Sequence, residues 1–295
     1  MKFPKFVNLC EVGPRDGLQT AKKKLTTKEK VFLIDSAVDA GFKNIEFGAF
    51  TPFDSMKNLD DTGDVYKLLD RKDDVKYRVL VSEPDDIRNA VSFGVSLVKI
   101  SKFANERIGG KSIDENLKSI DACCKIAHQL KVGVLGSISL PFVAPIDGIT
   151  PIENVERIVS CYVAGGIHTV SLGDAGGLAN PNILYERMIY LQEKYPDLNW
   201  ILHLHDTWGM GYSNMMAGLD AGITDFDVSF AGLGGCPFIK GTRGNIASEQ
   251  TVFMMEQMGI ETGINLEKTL KLAEYVLNLD LGVTKSAYLN AKTSV

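Results

Sequence analysis

The sequence predicts an α/β protein, a closed (β/α)8 barrel with an additional C-terminal helix. Three observations carry that expectation. Four stretches repeat one pattern: AGFKNIEF (40–47), FGVSLVKI (93–100), GGIHTVSL (165–172) and AGITDFDV (221–228). In each, a glycine (Gly41, Gly94, Gly166, Gly222) follows an amphipathic segment and precedes a short apolar or alternating run. Glycine just past a helix is a common left-handed cap, because it lacks the Cβ that makes this conformation costly. Alternation by two, or a short apolar run, signals a strand. Four more strand candidates lie between the repeats, which brings the count to eight. Helical patterns separate them all, and parallel neighbours need such crossovers. Eight βα units favour a closed TIM barrel over an open sheet.

In chain order, the first strand is FVNLCEV (6–12). A helix over 27–40 follows, with Thr26 and Thr27 at its start. The second strand lies in the first repeat and leads to a helix over 60–70. VKYRVLV (75–81) is strand three, followed by a helix over 85–93. Strand four lies in the second repeat, and Ser112 opens the next helix, 113–129. KVGVLGSISL (131–140) is strand five, followed by a helix over 151–164 with Pro151 in its first turn. Strand six lies in the third repeat, and Pro181 starts a helix over 181–194. NWILHLH (199–205) is strand seven, with a helix over 209–220. Strand eight lies in the fourth repeat and leads to a helix over 244–258. Residues 262–284 read as one further helix with a short tail. No linker or low-complexity segment divides the chain, so residues 1–295 are expected to form one domain, with about 262–295 as its helical extension.

Composition narrows the function classes. The chain is 45% hydrophobic and 23% charged, ordinary for a globular protein. A net charge of −5 argues against a nucleic-acid partner, whose phosphates favour a basic surface. No apolar stretch approaches the roughly 20 residues that span a bilayer. The opening MKFPKFVNLCEVGPRDG lacks the apolar core and cleavage site of a secretion signal, and KTSV is not a peroxisomal address. Five irregularly spaced cysteines make a poor disulfide framework, so a reducing, cytoplasmic setting is expected. Adjacent Cys123 and Cys124 fall in a helical pattern and read as packing residues.

Active sites of such barrels lie where the strands end. His203 and His205, two of only four histidines, fall at the end of strand seven. Residues two apart in a strand share a face. Both imidazoles should therefore face the barrel mouth, where they can bind one divalent metal. Barrel closure puts strand eight beside strand seven and strand one beside strand eight. Just past strand one, EVGPRDGLQ (11–19) carries Arg15 and Asp16. After strand eight, AGLGGCPFIKGTRGNIASE (231–249) carries Cys236, Lys240, Arg243 and Asn245. Asp16, His203, His205 and Asn245 form a mixed oxygen and nitrogen set. With no thiolate dominating, it suits Mg²⁺ or Mn²⁺ at least as well as Zn²⁺.

GLGG in that loop is neither a dinucleotide fingerprint nor a phosphate loop, and CPF lacks a CxxC partner. Cys236 reads equally as an acid/base group, a nucleophile or an incidental loop thiol. Glu46, inside strand two, needs a partner if it faces the barrel interior, and Arg15 is the natural one. Asp174 ends strand six in SLGDAGG. Glu46 and Asp174 read equally as site residues or as structural acids of the barrel.

With these residues placed, the chain resembles the 3-hydroxy-3-methylglutaryl-CoA lyases. They are a branch of the metal-dependent lyases that share the pyruvate-carboxyltransferase type of barrel. The motifs are EVGPRDGLQ (11–19), SLGD (171–174), HLHDT (203–207) and GLGGCPFIKGTRGNIASE (232–249). The resemblance implies that Asp16, His203, His205 and Asn245 hold the metal and that Arg15 stabilises an enolate oxygen. It implies that Cys236 transfers a proton on a closing loop, with Glu46 and Asp174 supporting. The implied reaction cleaves 3-hydroxy-3-methylglutaryl-CoA to acetyl-CoA and acetoacetate, with a small-molecule substrate and a homodimeric enzyme. The sequence departs from the family at SLGDAGG, where a SLGDTIG pattern is usual, and in the loops after strands two, four and five. A different 3-hydroxyacyl-CoA or a 4-hydroxy-2-oxo acid therefore stands as the alternative substrate. A metal-binding barrel without turnover is the non-enzymatic reading.

Overall fold

The structure is a computed structural model that describes residues 3–51, 54–239, 241, 242, 244–282 and 286–292. Eight parallel strands close into a barrel: β1 (Asn8–Glu11), β2 (Asn44–Ala49), β3 (Lys76–Val81), β4 (Leu97–Phe103), β5 (Gly133–Ser139), β6 (Thr169–Asp174), β7 (Asn199–Leu204) and β8 (Asp225–Val228). Each pairs with its neighbours in sequence, and β1 pairs with β8 to close the ring. Helices follow the strands in turn: α1 (Thr27–Asp39), α2 (Thr62–Leu68), α3 (Pro84–Ser92), α4 (Ile113–Leu130), α5 (Ile152–Ala164), α6 (Pro181–Lys194), α7 (Gly211–Asp220) and α8 (Ser248–Gln257). The TIM barrel expected from the repeats is therefore the observed fold.

Local chemistry explains the element boundaries. Thr26 caps α1 and Ser112 caps α4, each in a reciprocal box with the Glu three residues on, Glu29 and Glu115. Asn180 caps α6, with Pro181 in the first turn. The four repeat glycines all have positive φ: 111° at Gly41, 86° at Gly94, 78° at Gly166 and 88° at Gly222. Each reverses the chain from a helix into a barrel strand, as the repeat required.

Several elements differ from expectation. Residues 244–247 are not helical. Asn245 bridges to His205 and Ala247 to Ser229, so the loop re-enters the barrel mouth as extended chain before α8 begins. The terminal helix is shorter, α9 (Leu266–Asn278), and a separate short helix, α10 (Ala287–Lys292), follows. A short hairpin, Val143–Ala144 with Gly148–Ile149, and a one-turn helix, Glu106–Gly109, carry too little periodicity to be read from sequence.

The apolar core lies between the barrel and its helices. Ile34, Ile87, Ile120, Val155, Leu184 and Val252, from six helices, are fully buried. The barrel interior is different: Glu46, Arg78, Lys99 and Asp227 are buried there instead of the usual branched aliphatic layers.

Candidate active site

The strands end at one mouth. Past β1 the chain makes a single tight turn, Gly13–Gly17. The N–H groups of Arg15 and Asp16 both donate to the Val12 carbonyl, at 3.0 and 2.7 Å. Gly13 permits this turn, because a Cβ there would sit 2.5 Å from the Phe230 ring and 2.8 Å from the Glu11 carboxylate. Glu11 lies underneath and accepts from the N–H of Gly13 (2.8 Å) and Phe230 (3.1 Å) and from the Ser248 hydroxyl. The turn brings Arg15 and Asp16, both buried, over the barrel axis.

His203 and His205 face the same way at the end of β7, with their Nε2 atoms 3.1 Å apart. Asp16 Oδ2 lies 3.8 Å from His203 Nε2 and 3.9 Å from His205 Nε2. The three residues can offer one ligand atom each within 4.8 Å of one another. Asn245 Nδ2 donates to Asp16 Oδ2 at 2.8 Å and to the Leu233 carbonyl at 3.0 Å. The Asn245 carbonyl oxygen Oδ1 is buried and accepts no hydrogen bond. Leaving a buried acceptor unmet costs free energy, which a cation beside Asp16 would remove. Burial pushes the Asp16 carboxyl up, but Arg15 and the two histidines more than offset this and keep it ionised. An anionic oxygen, two imidazoles and an orphaned amide oxygen fit a divalent cation of the Mg²⁺ or Mn²⁺ kind. The four residues expected to hold a metal are thus together.

Arg15 links this group to the barrel floor. Its Nη1 donates to Asp16 Oδ1 at 2.6 Å and its Nε donates to Glu46 Oε1. Nη2 makes none of these bonds, and the residue lines the cavity. The expected Arg15–Glu46 pair is present, but Glu46 has further partners that sequence reading missed. Arg78 Nε donates to Glu46 Oε2 at 2.8 Å, and Lys99 Nζ pairs with the same oxygen. Arg78 Nη2 donates to Asp227 Oδ1 at 2.6 Å, and Asp227 Oδ2 lies 3.1 Å from His203 Nδ1. Burial opposes the charge on both acids. Arg15, Lys99 and Arg78 overcome it at Glu46, as do Arg78, Lys99 and His203 at Asp227, so both carboxyls lie far below the usual range. Strand register was the available signal, since it pairs Glu46 with Arg78 and His203 with Asp227. Gln19 was also missed; its Nε2 donates to Asp16 Oδ1 at 2.9 Å and to the Gly235 carbonyl at 3.2 Å.

These groups face a cavity of about 450 Å³. Its walls include Ser101, Phe103, Ser137, Ala175 and Cys236. The loop after β8 covers it. Cys236 N–H donates to Thr242 Oγ1 at 2.8 Å, and Phe238 meets Phe103 edge-on at 5.5 Å between centroids. Cys236 and Ile239 pack on a small cluster of Leu140, Ala144 and Ala175. Burial pushes the Cys236 thiol up to about 11, so it keeps its proton at neutral pH. Lys240 and Arg243 of this loop lie outside the described residues. Asp174 does not line the cavity. Its carboxylate accepts from the N–H groups of Leu178 and Ala179, at 3.1 Å each, and so holds the loop that begins at Ala175. Burial pushes its carboxyl up to about 7, against the pull of those two donors.

Fold and site together define a (β/α)8 barrel enzyme with a cluster of Asp16, His203 and His205 at its C-terminal mouth that could hold a metal ion. Residues 6–276 match the HMGL-like family model, and the chain belongs to that family and is a lyase. It is 33% identical to the mitochondrial hydroxymethylglutaryl-CoA lyase of Homo sapiens over 99% of this chain and 88% of that protein. It is 35% identical to the hydroxymethylglutaryl-CoA lyase YngG of Bacillus subtilis, over 94% of each. The solved Bacillus subtilis HMG-CoA lyase superposes with a TM-score of 0.93 at 34% identity, covering 99% of this chain and all of that one. An HMG-CoA lyase from Acinetobacter baumannii, solved with coenzyme A and 3-methylmalate, gives 0.91 at 29% identity, covering 99% and 96%. Among the described residues no helix is long and apolar enough to cross a membrane.

Proposed function

We propose that this protein is a divalent-metal-dependent carbon–carbon lyase that cleaves 3-hydroxy-3-methylglutaryl-CoA to acetyl-CoA and acetoacetate. The observation that carries the reading is the convergence of Asp16, His203 and His205 beside Arg15 in one cavity. Asp16, His203, His205 and Asn245 would hold Mg²⁺ or Mn²⁺, with Zn²⁺ the poorer fit. Such an ion lowers the pKa of a hydroxyl bound beside it.

The reaction is a retro-Claisen cleavage. A base takes the C3 hydroxyl proton, the C2–C3 bond breaks as C3 becomes a ketone, and the electron pair of that bond moves onto the thioester oxygen as an enolate; the proton held by the base returns to the Cys236 thiolate when the products leave. Arg15 stabilises that oxygen through its free Nη2 edge, while Glu46 and Asp16 hold the guanidinium still. The charge develops only as the bond breaks, so this donor favours the transition state over the bound substrate. Cys236, protonated at neutral pH, then delivers a proton to C2, and acetyl-CoA is complete. The loop carrying Cys236 also keeps water from the enolate. Asp174 supports the site by fixing the loop behind Ala175.

A second reading keeps the chemistry and changes the acyl group. Thr51, Ser101 and Ala175 line the cavity where the chain departs from the family motifs, which favours a different 3-hydroxyacyl-CoA or a 4-hydroxy-2-oxo acid. The test is a substrate profile with Mg²⁺ or Mn²⁺ over 3-hydroxyacyl-CoA thioesters and 4-hydroxy-2-oxo acids. Preferred cleavage of 3-hydroxy-3-methylglutaryl-CoA supports the first reading, and cleavage of another 3-hydroxyacyl-CoA or of oxo acids alone would remove it. As to setting, five free thiols suit a cytosolic protein. We take the chain as one domain and the enzyme as a homodimer, with α9 a candidate contact; sedimentation equilibrium tests the latter.

A further inference from the structure

The buried charges under the cavity form a circuit. Asp227 Oδ2 lies 3.1 Å from His203 Nδ1, and Asp227 Oδ1 accepts from Arg78 Nη2 at 2.6 Å. Arg78 Nε donates to Glu46 Oε2 at 2.8 Å, and Glu46 Oε1 accepts from Arg15 Nε. Arg15 Nη1 donates to Asp16 Oδ1 at 2.6 Å, and Asp16 Oδ2 returns to within 3.8 Å of His203 Nε2. Three cations, Arg15, Arg78 and Lys99, balance three carboxylates, Asp16, Glu46 and Asp227. All six are more than nine-tenths buried. Arg78 does not line the cavity, yet its guanidinium donates both to the acid that holds Arg15 and to the acid that holds His203, whereas Lys99 pairs closely with Glu46 and lies 3.9 Å from Asp227 Oδ2.

We propose that Arg78 is a positioning residue of the lyase reaction: by bridging Glu46 and Asp227 it aims Arg15 at the developing enolate and His203 at the metal. This rests on the lyase reading above and adds a residue to it. Two donors of one rigid guanidinium go to two different carboxylates and so fix the distance between them. Without Arg78, Glu46 and Asp227 would share the single ammonium of Lys99, which is 3.9 Å from Asp227 Oδ2. Glu46 Oε2 would then keep only Lys99, leaving it an open lone pair able to draw Arg15 down from the cavity. Asp227 would turn from His203 Nδ1, and the imidazole would lose the partner that sets its tautomer. A lysine at position 78 restores one charge but cannot span both acids, because its ammonium is a point donor on a flexible stem.

The test compares Arg78→Met, Arg78→Lys and Asp227→Asn with the parent, by Mn²⁺ titration calorimetry and by kinetics on 3-hydroxy-3-methylglutaryl-CoA. Arg78→Met is expected to weaken Mn²⁺ binding roughly 10–100-fold, as loss of a ligand-orienting partner does. Its kcat should fall about 100-fold with little change in KM, the cost of a misplaced catalytic group. Arg78→Lys should recover only part of either. Asp227→Asn removes the other end of the bridge and should weaken Mn²⁺ binding and lower kcat in the same direction as Arg78→Met. Circular dichroism and thermal melting report folding, and if the Met variant does not fold, the Lys variant decides. A folded Arg78 variant with the parent's Mn²⁺ affinity and kcat overturns the proposal. A parent protein that binds no Mn²⁺ and cleaves no thioester overturns the underlying reading, an outcome visible before any variant is made.

Discussion

Asn245 Nδ2 donates to Asp16 Oδ2 across 2.8 Å, although 229 positions separate the two residues in the chain. That bond joins the loop after β8 to the turn after β1, and it sits beside the His203–His205 pair. A carboxylate and two imidazoles share one small volume, and the Asn245 amide is bonded to that carboxylate. Removing His205 takes one nitrogen from the set and leaves a gap beside Asp16. We expect His205→Ala to abolish both Mn²⁺ binding and turnover. The parent should gain about 2.7 kcal/mol of stability at Mn²⁺ a hundredfold above its Kd. That corresponds to a Tm rise of about 5 °C, and the variant should show none. Calorimetric titration and differential scanning calorimetry, with and without chelator, check both. Normal turnover by a metal-stripped His205→Ala protein would refute the mechanism.

Much of this site was legible because each motif combined a strand end with a chemical group. HLHDT gave two imidazoles on one face, and the eight-strand count gave the neighbours of that face. The charged floor was not legible. Arg78 in VKYRVLV and Asp227 in DFDV look like the polar half of an alternating strand, which in most sheets faces water. Only closure turns that face inward, and only register sets Arg78 beside Glu46 and Asp227 beside His203. Asp174 reads as a mouth residue from its place at the end of β6. Its carboxylate instead takes the N–H groups of its own loop, a local bond that periodicity does not reveal. The early helix start at residue 244 failed for a related reason. Asn245 and Ala247 are held by strand-like bridges to residues distant in sequence, and those override a helical pattern.

Cys236 separates proton delivery from metal binding. Its thiol is half-buried on the covering loop and holds its proton at neutral pH, because burial pushes it up to about 11. A serine hydroxyl is far less acidic but nearly the same size. We expect Cys236→Ser to keep the parent's Mn²⁺ affinity and to lose roughly 10²–10⁴-fold in kcat, the span of one general-acid contribution. Kinetics at saturating Mn²⁺ measure it. An unchanged rate would make the thiol incidental to catalysis.

Glu11 makes a prediction about pH. It is fully buried, and burial pushes its carboxyl up to about 8, against the donors Ser248, Gly13 and Phe230. In the unfolded chain a glutamate titrates near about 4.3. Between these values the native state holds a proton that the unfolded state has lost. Stability from this residue is therefore complete below about pH 4.3 and is lost as pH rises through about 8, with a slope of at most about 1.4 kcal/mol per pH unit. Glu11→Gln imitates the protonated acid: its oxygen can accept from Gly13 and Phe230 while its amide donates to Ser248. Urea unfolding at pH 5, 6, 7 and 8 should show the variant gaining on the parent as pH rises. Parallel stability curves for the two proteins would show that Glu11 is ionised throughout.

Gly244 is where the covering loop crosses itself. A Cβ there would lie 1.5 Å from the Gly232 carbonyl oxygen, a backbone atom that cannot rotate aside. The Gly244 carbonyl also accepts from Asp206 N–H at 3.0 Å, so the segment has little freedom to withdraw. Gly244→Ala must push the two strands of the loop apart, at a cost of about 1–3 kcal/mol or more. The displacement falls on Asn245, the next residue, and on the span that carries Cys236. We therefore expect a lower Tm together with weaker Mn²⁺ binding and reduced kcat. His205→Ala should remove metal binding without disturbing the loop, so the two variants differ in protease sensitivity. Limited proteolysis should cut Gly244→Ala between residues 233 and 242 while leaving His205→Ala intact there. Parent-like melting and cleavage in Gly244→Ala would mean that the loop does not depend on this crossing.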